Sequence, residues 1–252
     1  MSTYKYERKR KLRLPSLAVA ALAAAWLAPG AFAGQFSVSP VRIYMTPTDR
    51  ATAVTLVNEG NDELVMQADV FTWSQKAGGE DELVPSEDLF LAPPIIKLAP
   101  NAKQVVRLAM VKPSRRPDQA TYRMIVREVA EAKPPEKGVD VAIALAFSLP
   151  VFITPAGAKS DLACTAKRAA PDTVKVECAN SGTAYANPRG FVLETPGGEK
   201  IASRDSGGYI LAGIHREFDV KRADGTIPAG KAKLLVSLDD GSTRAFELQL
   251  GE

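Results

Sequence analysis

The sequence has 252 residues, of which 46% are hydrophobic and 24% are charged, a composition typical of folded globular proteins rather than disordered ones. Its net charge of +3 is concentrated at the start: the first 33 residues hold six basic residues and one acidic residue, so the remainder carries −2. Without an excess of basic residues in that remainder, we expect no nucleic-acid partner.

Few side chains could carry catalysis or bind a metal. His215 is the only histidine and Cys164 and Cys178 are the only cysteines, so a zinc site lacks ligands at a workable spacing. A Ser-His-carboxylate triad would depend on His215, which lies in an alternating segment and is better explained as a strand residue. Glycine-rich phosphate-binding motifs are also absent from the sequence. We therefore expect no enzyme, no metal and no cofactor.

The first 33 residues have the layout of a secretory signal peptide. A basic segment at 1–16 precedes an apolar run at 17–28, which is shorter than the roughly 20 residues of a membrane-spanning helix. Ala31 and Ala33 place small residues before a cleavage site. We expect cleavage after Ala33 and export of residues 34–252, without membrane insertion.

From residue 36 onwards, short alternating or β-branched runs lie between Pro, Gly, Asn and Asp residues, which is typical of β-strands and turns. Pro40 in the first run indicates an edge strand or a bulge. Polar segments at 76–87 and 130–138 are predicted to be surface loops. The strands predicted in this half of the chain are 36–45, 51–58, 64–73, 95–98, 103–111, 121–129 and 139–153.

A short linker at 154–157 separates these strands from a second group. About seven strands in about 120 residues is typical of an immunoglobulin-like sandwich. The predicted fold is all-β, with two immunoglobulin-like β-sandwich domains, 34–154 and 155–252, joined by a short elbow. The strands predicted in the second domain are 161–168, 173–179, 185–194, 209–212, 216–222, 232–238 and 243–250.

Cys164 and Cys178 lie in two short strand-like runs on either side of a turn at 170–172. After export to an oxidising compartment, a close pair of cysteines on neighbouring strands predicts a disulfide. Two free buried thiols are the alternative. A redox-active pair is disfavoured because the spacing is not Cys-x-x-Cys.

The segment 139–153 is much longer than the usual strand of about five or six residues. Its large side chains alternate with small or polar ones as far as Val151, so they share one face. This face could pack on the domain's own core, or an edge strand could lend it to a partner protein. The large residues are Val139, Val141, Ile143, Leu145, Phe147, Leu149 and Val151.

Four short segments point to a known family through their order, their spacing and the export signal before them. They are Ser-Val-Ser-Pro-Val-Arg-Ile-Tyr at 37–44, Ala92-Pro93-Pro94 with the segment 98–107, the segment 122–129, and Leu149-Pro150-Val151-Phe152. On these segments the chain resembles the periplasmic pilus-assembly chaperones of the PapD-like family, over nearly all of residues 35–252.

The resemblance implies a boomerang-shaped, two-domain periplasmic chaperone that binds pilus subunits lacking their final strand. The chaperone lends each subunit its long strand and delivers it to an outer-membrane usher, and no cofactor is implied. The residues that would fill the subunit's groove are Val141, Ile143, Leu145 and, as an extension, Phe147.

In most of the family a basic pair holds the subunit's C-terminal carboxylate. Arg42 matches the first member, but Pro150 stands where a lysine is expected, so the chain resembles the archaic branch of the family instead. Because neighbouring antiparallel strands place 121–123 beside 149–152, Arg123 is the candidate for the second anchor. Arg107 is a weaker candidate.

A pilus structural subunit or adhesin with immunoglobulin-like domains is the alternative function. Such a subunit should open with its own alternating donor segment and lack a complete final strand. Here the first strand follows directly on Gly34 and the long strand is present, which favours the chaperone.

Overall fold

The computed structural model describes residues 36–129 and 144–251. These ranges contain seventeen β-strands and no helix, so the predicted all-β fold is confirmed. Within them there is accordingly no helix of the length and hydropathy that a membrane crossing requires. The predicted signal peptide at 1–33 and the predicted loop at 130–138 lie outside the described residues.

Ten strands lie before residue 154 in the described part of the chain. They are β1 (Phe36–Ser39), β2 (Ile43–Met45), β3 (Ala51–Asn58), β4 (Leu64–Gln75), β5 (Asp81–Pro85), β6 (Leu89–Ala92), β7 (Ile95–Leu98), β8 (Lys103–Met110), β9 (Ala120–Glu128) and β10 (Ala146–Ile153).

These ten strands form a sandwich of two sheets. One sheet has the order β1-β3-β8-β6, and the other has the order β2-β10-β9-β4-β5, with β7 pairing beside the start of β4. Val54 and Val106 of the first sheet and Met66 and Met124 of the second are completely buried in one shared core. The alternation of the strands therefore places one apolar face of each sheet inside the sandwich.

The first predicted strand, 36–45, is in fact two strands in different sheets. β1 pairs with β3, whereas β2 pairs in parallel with the end of β10. Pro40 lies between them, and it has no N–H group to continue a ladder. The sequence signal at Pro40 therefore marks the point where the chain crosses from one sheet to the other.

The predicted loop at 76–87 is wrong. β4 continues to Gln75 and turns back into β5, which pairs with it. Gly78 and Gly79 form the turn with φ angles of 95° and 86°, which glycine adopts without a steric cost. All residues of β5 are exposed, so the polar pattern that suggested a loop reflects an edge strand.

Seven strands form the second sandwich. They are β11 (Leu162–Ala170), β12 (Thr173–Asn180), β13 (Pro188–Glu194), β14 (Lys200–Arg204), β15 (His215–Lys221), β16 (Gly230–Leu238) and β17 (Thr243–Leu250).

A single sheet with the order β11-β12-β15-β14-β13-β16-β17 builds this domain. Its two outer strands, β11 and β17, contact each other, so the sheet folds around a core of its own. The prediction missed β14, and the strand predicted at 209–212 is only an isolated bridge between Ala186 and Ile210. The immunoglobulin-like pair of sandwiches is otherwise confirmed.

The predicted disulfide is confirmed. Cys164 and Cys178 lie opposite each other on β11 and β12, with Cα atoms 4.1 Å apart, and their sulfur atoms are bonded. Both residues are buried in the core of the second sandwich.

Candidate functional site

Within the described residues, one edge of β10 is only partly paired. The strand pairs with β9 along its whole length, but with β2 only from Val151 to Ile153. Among the described residues, the stretch 146–150 therefore has no strand on its second side. Pro150 has no N–H group. Unpaired strand edges in general can pair with a strand of another protein.

The described part of the apolar face of β10 packs on its own sandwich. Leu145 and Phe147 are half-buried against the first core. The rings of Phe147 and Phe36 meet edge to face, with centroids 4.9 Å apart. At these two residues the face therefore covers the core. Two other predicted groove-filling residues, Val141 and Ile143, lie outside the described residues.

The end of β10 contacts the second sandwich through its opposite face. Phe152 is completely buried. Its ring stacks on Tyr185 with centroids 4.2 Å apart and lies 6.0 Å from the ring of Trp73. Phe152 belongs to a small apolar core between the two domains, here called the interdomain cluster. Its members are Trp73, Phe152, Tyr185, Tyr209, Leu211 and Ile214.

Arg42 lies at the border of the interdomain cluster, just before β2. Its Nη1 group donates to Asp239 Oδ2 at 2.5 Å and to the hydroxyl of Tyr44 at 3.4 Å. The hydrogen bond with Tyr44 is the main cause that raises the pKa of Arg42 above its ordinary value, although desolvation opposes it. Arg42 is therefore charged. Because 29% of its side chain is exposed, it is also within reach of an external anion.

Arg123 lies opposite Pro150 in the register of β9 and β10, where strand geometry placed it. Its guanidinium carbon lies 3.8 Å from the centre of the Trp73 ring and 5.6 Å from that of Tyr209. Its Nη2 atom lies 3.5 Å from Asp81 Oδ2. Burial is the main cause that lowers its pKa. With 14% of its side chain exposed, Arg123 has less surface for an external carboxylate than Arg42.

Arg107 lies on the other sheet. On β8 it pairs with Ala53 and Ala92, and its side chain is exposed between the buried residues Val106 and Leu108. It therefore projects from the outer face of the four-stranded sheet. The structure brings Arg42 and Arg123 to the same aromatic cluster and does not bring Arg107 there.

Sequence reasoning missed Tyr44, Tyr185 and Asp239. The Tyr44 and Tyr185 hydroxyls are 2.9 Å apart, and the Tyr185 hydroxyl donates to Asp239 Oδ2 at 3.3 Å. Burial is the main cause that raises the pKa of Tyr185. One signal did exist: Phe152 is the residue at which the alternation of the long strand breaks, as expected where a second apolar contact begins.

Comparison with known families agrees with this arrangement. Residues 35–159 match the family described as "Pili and flagellar-assembly chaperone, PapD N-terminal domain". Residues 35–159 therefore belong to the PapD N-terminal domain family of pilus chaperones. This is a family of chaperones and not of enzymes. No curated protein sequence matches the chain.

Several solved structures share the fold of this PapD-like protein. A chain of the CsuC–CsuE chaperone–tip adhesion subunit complex, from the archaic Csu pili of Acinetobacter baumannii, is 21% identical, with 86% of this chain and 100% of that chain covered and a TM-score of 0.60. The E. coli chaperone DraB is 20% identical, with 86% and 97% covered and a TM-score of 0.55.

A third structure is the Salmonella enterica complex of the SafA pilin with the SafB chaperone. The matching chain is 15% identical, with 88% of this chain and 99% of that chain covered and a TM-score of 0.58. These likenesses extend over both sandwiches, so they support the two-domain fold.

Proposed function

We propose that the protein is a periplasmic chaperone that binds pilus subunits lacking their final strand and completes each of them with its own segment 139–153. The observation that carries the proposal is the edge of β10 at 146–150, which no described strand covers. In the sequence this stretch directly follows the alternating apolar segment 139–145. Membership of residues 35–159 in the PapD N-terminal domain family of pilus chaperones supports it. Delivery of the subunit to an outer-membrane usher completes the proposed function.

Strand donation would complete a sandwich that lacks one of its strands. A subunit without its last strand exposes an apolar groove and a row of unpaired backbone groups. An added strand pairs with the backbone and places every second side chain in the groove. Val141, Ile143 and Leu145 have this spacing, and full burial of each one is worth about 1.5–3 kcal/mol.

Leu145 and Phe147 both pack partly against the first core. Phe147 differs in that its ring also meets the ring of Phe36 edge to face. It would have to leave Phe36 to enter a subunit's groove. We therefore assign groove filling to Val141, Ile143 and Leu145, with Phe147 holding the donated strand to the chaperone.

We assign the subunit's C-terminal carboxylate to Arg42. Its side chain is the more exposed of the two arginines at the interdomain cluster. Arg123 contributes positive charge beside it. Its guanidinium stacks on Trp73 of its own sandwich and lies 5.6 Å from the ring centre of Tyr209 in the second sandwich. Guanidinium groups suit this task because they can donate two parallel hydrogen bonds to a carboxylate.

Co-purification from the periplasm of the native host tests strand donation. Tagged residues 34–252 are compared with an Ile143→Asp, Leu145→Asp variant, and bound proteins are identified by mass spectrometry. The matched control, Ala142→Asp with Ala144→Asp, adds the same charges on the opposite face of the same segment. Melting temperatures establish that all three forms are folded.

We expect a small pilin-like partner on the wild type and on the alanine-face variant, and its loss from the Ile143→Asp, Leu145→Asp variant. Identical partners on all three forms, or none on any, would show that the segment is ordinary core. In the same assay, Arg42→Glu should release the partner, whereas Arg107→Glu, an equal charge reversal on the outer face of the other sheet, should retain it. Retention by both variants would remove Arg42 from the site.

A further inference from the structure

Both arginines at the interdomain cluster already contact carboxylates of this same chain. Arg42 meets Asp239 at 2.5 Å, and 12% of the Asp239 side chain is exposed. Arg123 meets Asp81 more loosely, at 3.5 Å, and 46% of the Asp81 side chain is exposed. Asp239 is therefore the closer and better shielded of the two internal carboxylates.

Asp239 sits in a small cradle of donors in the turn between β16 and β17. Besides Arg42, the Tyr185 hydroxyl at 3.3 Å and Asn187 Nδ2 at 3.2 Å donate to the same Oδ2 atom. A guanidinium and two neutral donors are the groups that would also bind a peptide's C-terminal carboxylate. Asp239 of the second sandwich thus already occupies the guanidinium of Arg42.

We propose that Asp239 competes with the subunit's C-terminal carboxylate for Arg42. The inference rests on the proposed function, because it requires Arg42 to be the anchor. Two carboxylates at one guanidinium repel each other and compete for its single positive charge. In the free chaperone Asp239 neutralises Arg42, so an incoming carboxylate gains only the difference between the two contacts.

The exchange leaves no buried charge without a partner. When Arg42 turns to an external carboxylate, Asp239 still accepts hydrogen bonds from Tyr185 and Asn187. Arg42 is partly exposed, so it can turn without first being uncovered. The cost of breaking a buried pair therefore does not arise in full.

Competition of this kind would make capture selective. A carboxylate alone gains little at Arg42, so firm binding also needs the strand contacts along β10. The Arg42–Asp239 pair joins residues 197 positions apart in the two sandwiches. Capture of a subunit would thus remove one link between the sandwiches at the moment when the subunit supplies new contacts.

The test uses residues 34–252 and two probes: N-acetylated triglycine with a free C-terminal carboxylate, and the same peptide as its C-terminal amide. Binding is followed through the NMR signal of the Arg42 Nε–H group, assigned with an Arg42→Lys variant. The test variant is Asp239→Asn, with Asp239→Ser as a second, shorter neutral form; both keep an oxygen that can accept a hydrogen bond. The matched control is Asp240→Asn, which removes the same charge from the neighbouring residue.

We expect Asp239→Asn to bind the acid peptide roughly three- to tenfold more tightly than the wild type. Asp240→Asn should match the wild type, and the amide should bind none of the forms. Equal or weaker acid binding by Asp239→Asn and Asp239→Ser would overturn the competition while leaving the anchor in place. Equal responses to acid and amide in every form would overturn Arg42 as the anchor, and co-purification would still decide strand donation independently.

Discussion

Truncation of Phe152 to alanine isolates the contact between the two sandwiches. The ring is completely buried. It lies 4.2 Å from the ring of Tyr185 in the second sandwich and 6.0 Å from that of Trp73 in the first. Its removal would leave a cavity lined by residues of both domains.

The expected loss in the free energy of unfolding is about 3–5 kcal/mol, the usual cost of replacing a buried Phe by Ala. The stacked pair with Tyr185 contributes about 0.5–1.5 kcal/mol of this beyond area burial. Phe191 provides a matched control, since it is equally buried. Its ring packs 4.6 Å from Phe218 inside the second sandwich, so Phe191→Ala creates a cavity away from the domain contact.

Trp73 makes the assay specific, because it is the only tryptophan in residues 34–252 and belongs to the interdomain cluster. Urea unfolding is followed by Trp73 fluorescence and by far-UV circular dichroism. Phe152→Ala should shift the fluorescence transition to lower urea than the dichroism transition, whereas Phe191→Ala should lower both together. A loss below about 1 kcal/mol, or coincident transitions for Phe152→Ala, would refute the idea that this ring couples the sandwiches.

Two further predictions concern stability. Replacing Cys164 and Cys178 by Ser opens a loop with a sequence separation of 14 and should cost about 3 kcal/mol in urea unfolding; the reduced wild type should match the variant, and an unchanged midpoint would contradict the estimate. Burial, assisted by the hydrogen bond to Asp88, raises the pKa of Tyr122 from 10.0 to about 12. The stability that the neutral phenol contributes is therefore fully present below pH 10 and is lost as the pH rises towards 12. Tyr122→Phe should flatten the fall in the free energy of unfolding over this pH range. An equal slope in the variant and the wild type would argue against this assignment.

The fold class was predictable because alternation is a local property. Every second residue of a strand faces the core, so short alternating runs between turn residues identify a sandwich without knowledge of its partners. The same logic predicted the disulfide between neighbouring strands. It failed at 76–87, because an edge strand with all of its residues exposed has no apolar face and looks like a loop. It also failed at Pro40, since a missing N–H does not reveal which sheet the chain enters next.

The sequence by itself determined the two sandwiches, the cysteine pair and the position of Arg123 beside the end of the long strand, because chain order and antiparallel pairing bring 121–123 next to 149–152. Only the tertiary structure decided what meets Arg42. Asp239 is 197 residues away, in a turn of the other domain whose sequence shows no sign of its partner. Periodicity tells which face of a strand is apolar, but the contacts of an outer face depend on how two separately folded sandwiches pack against each other.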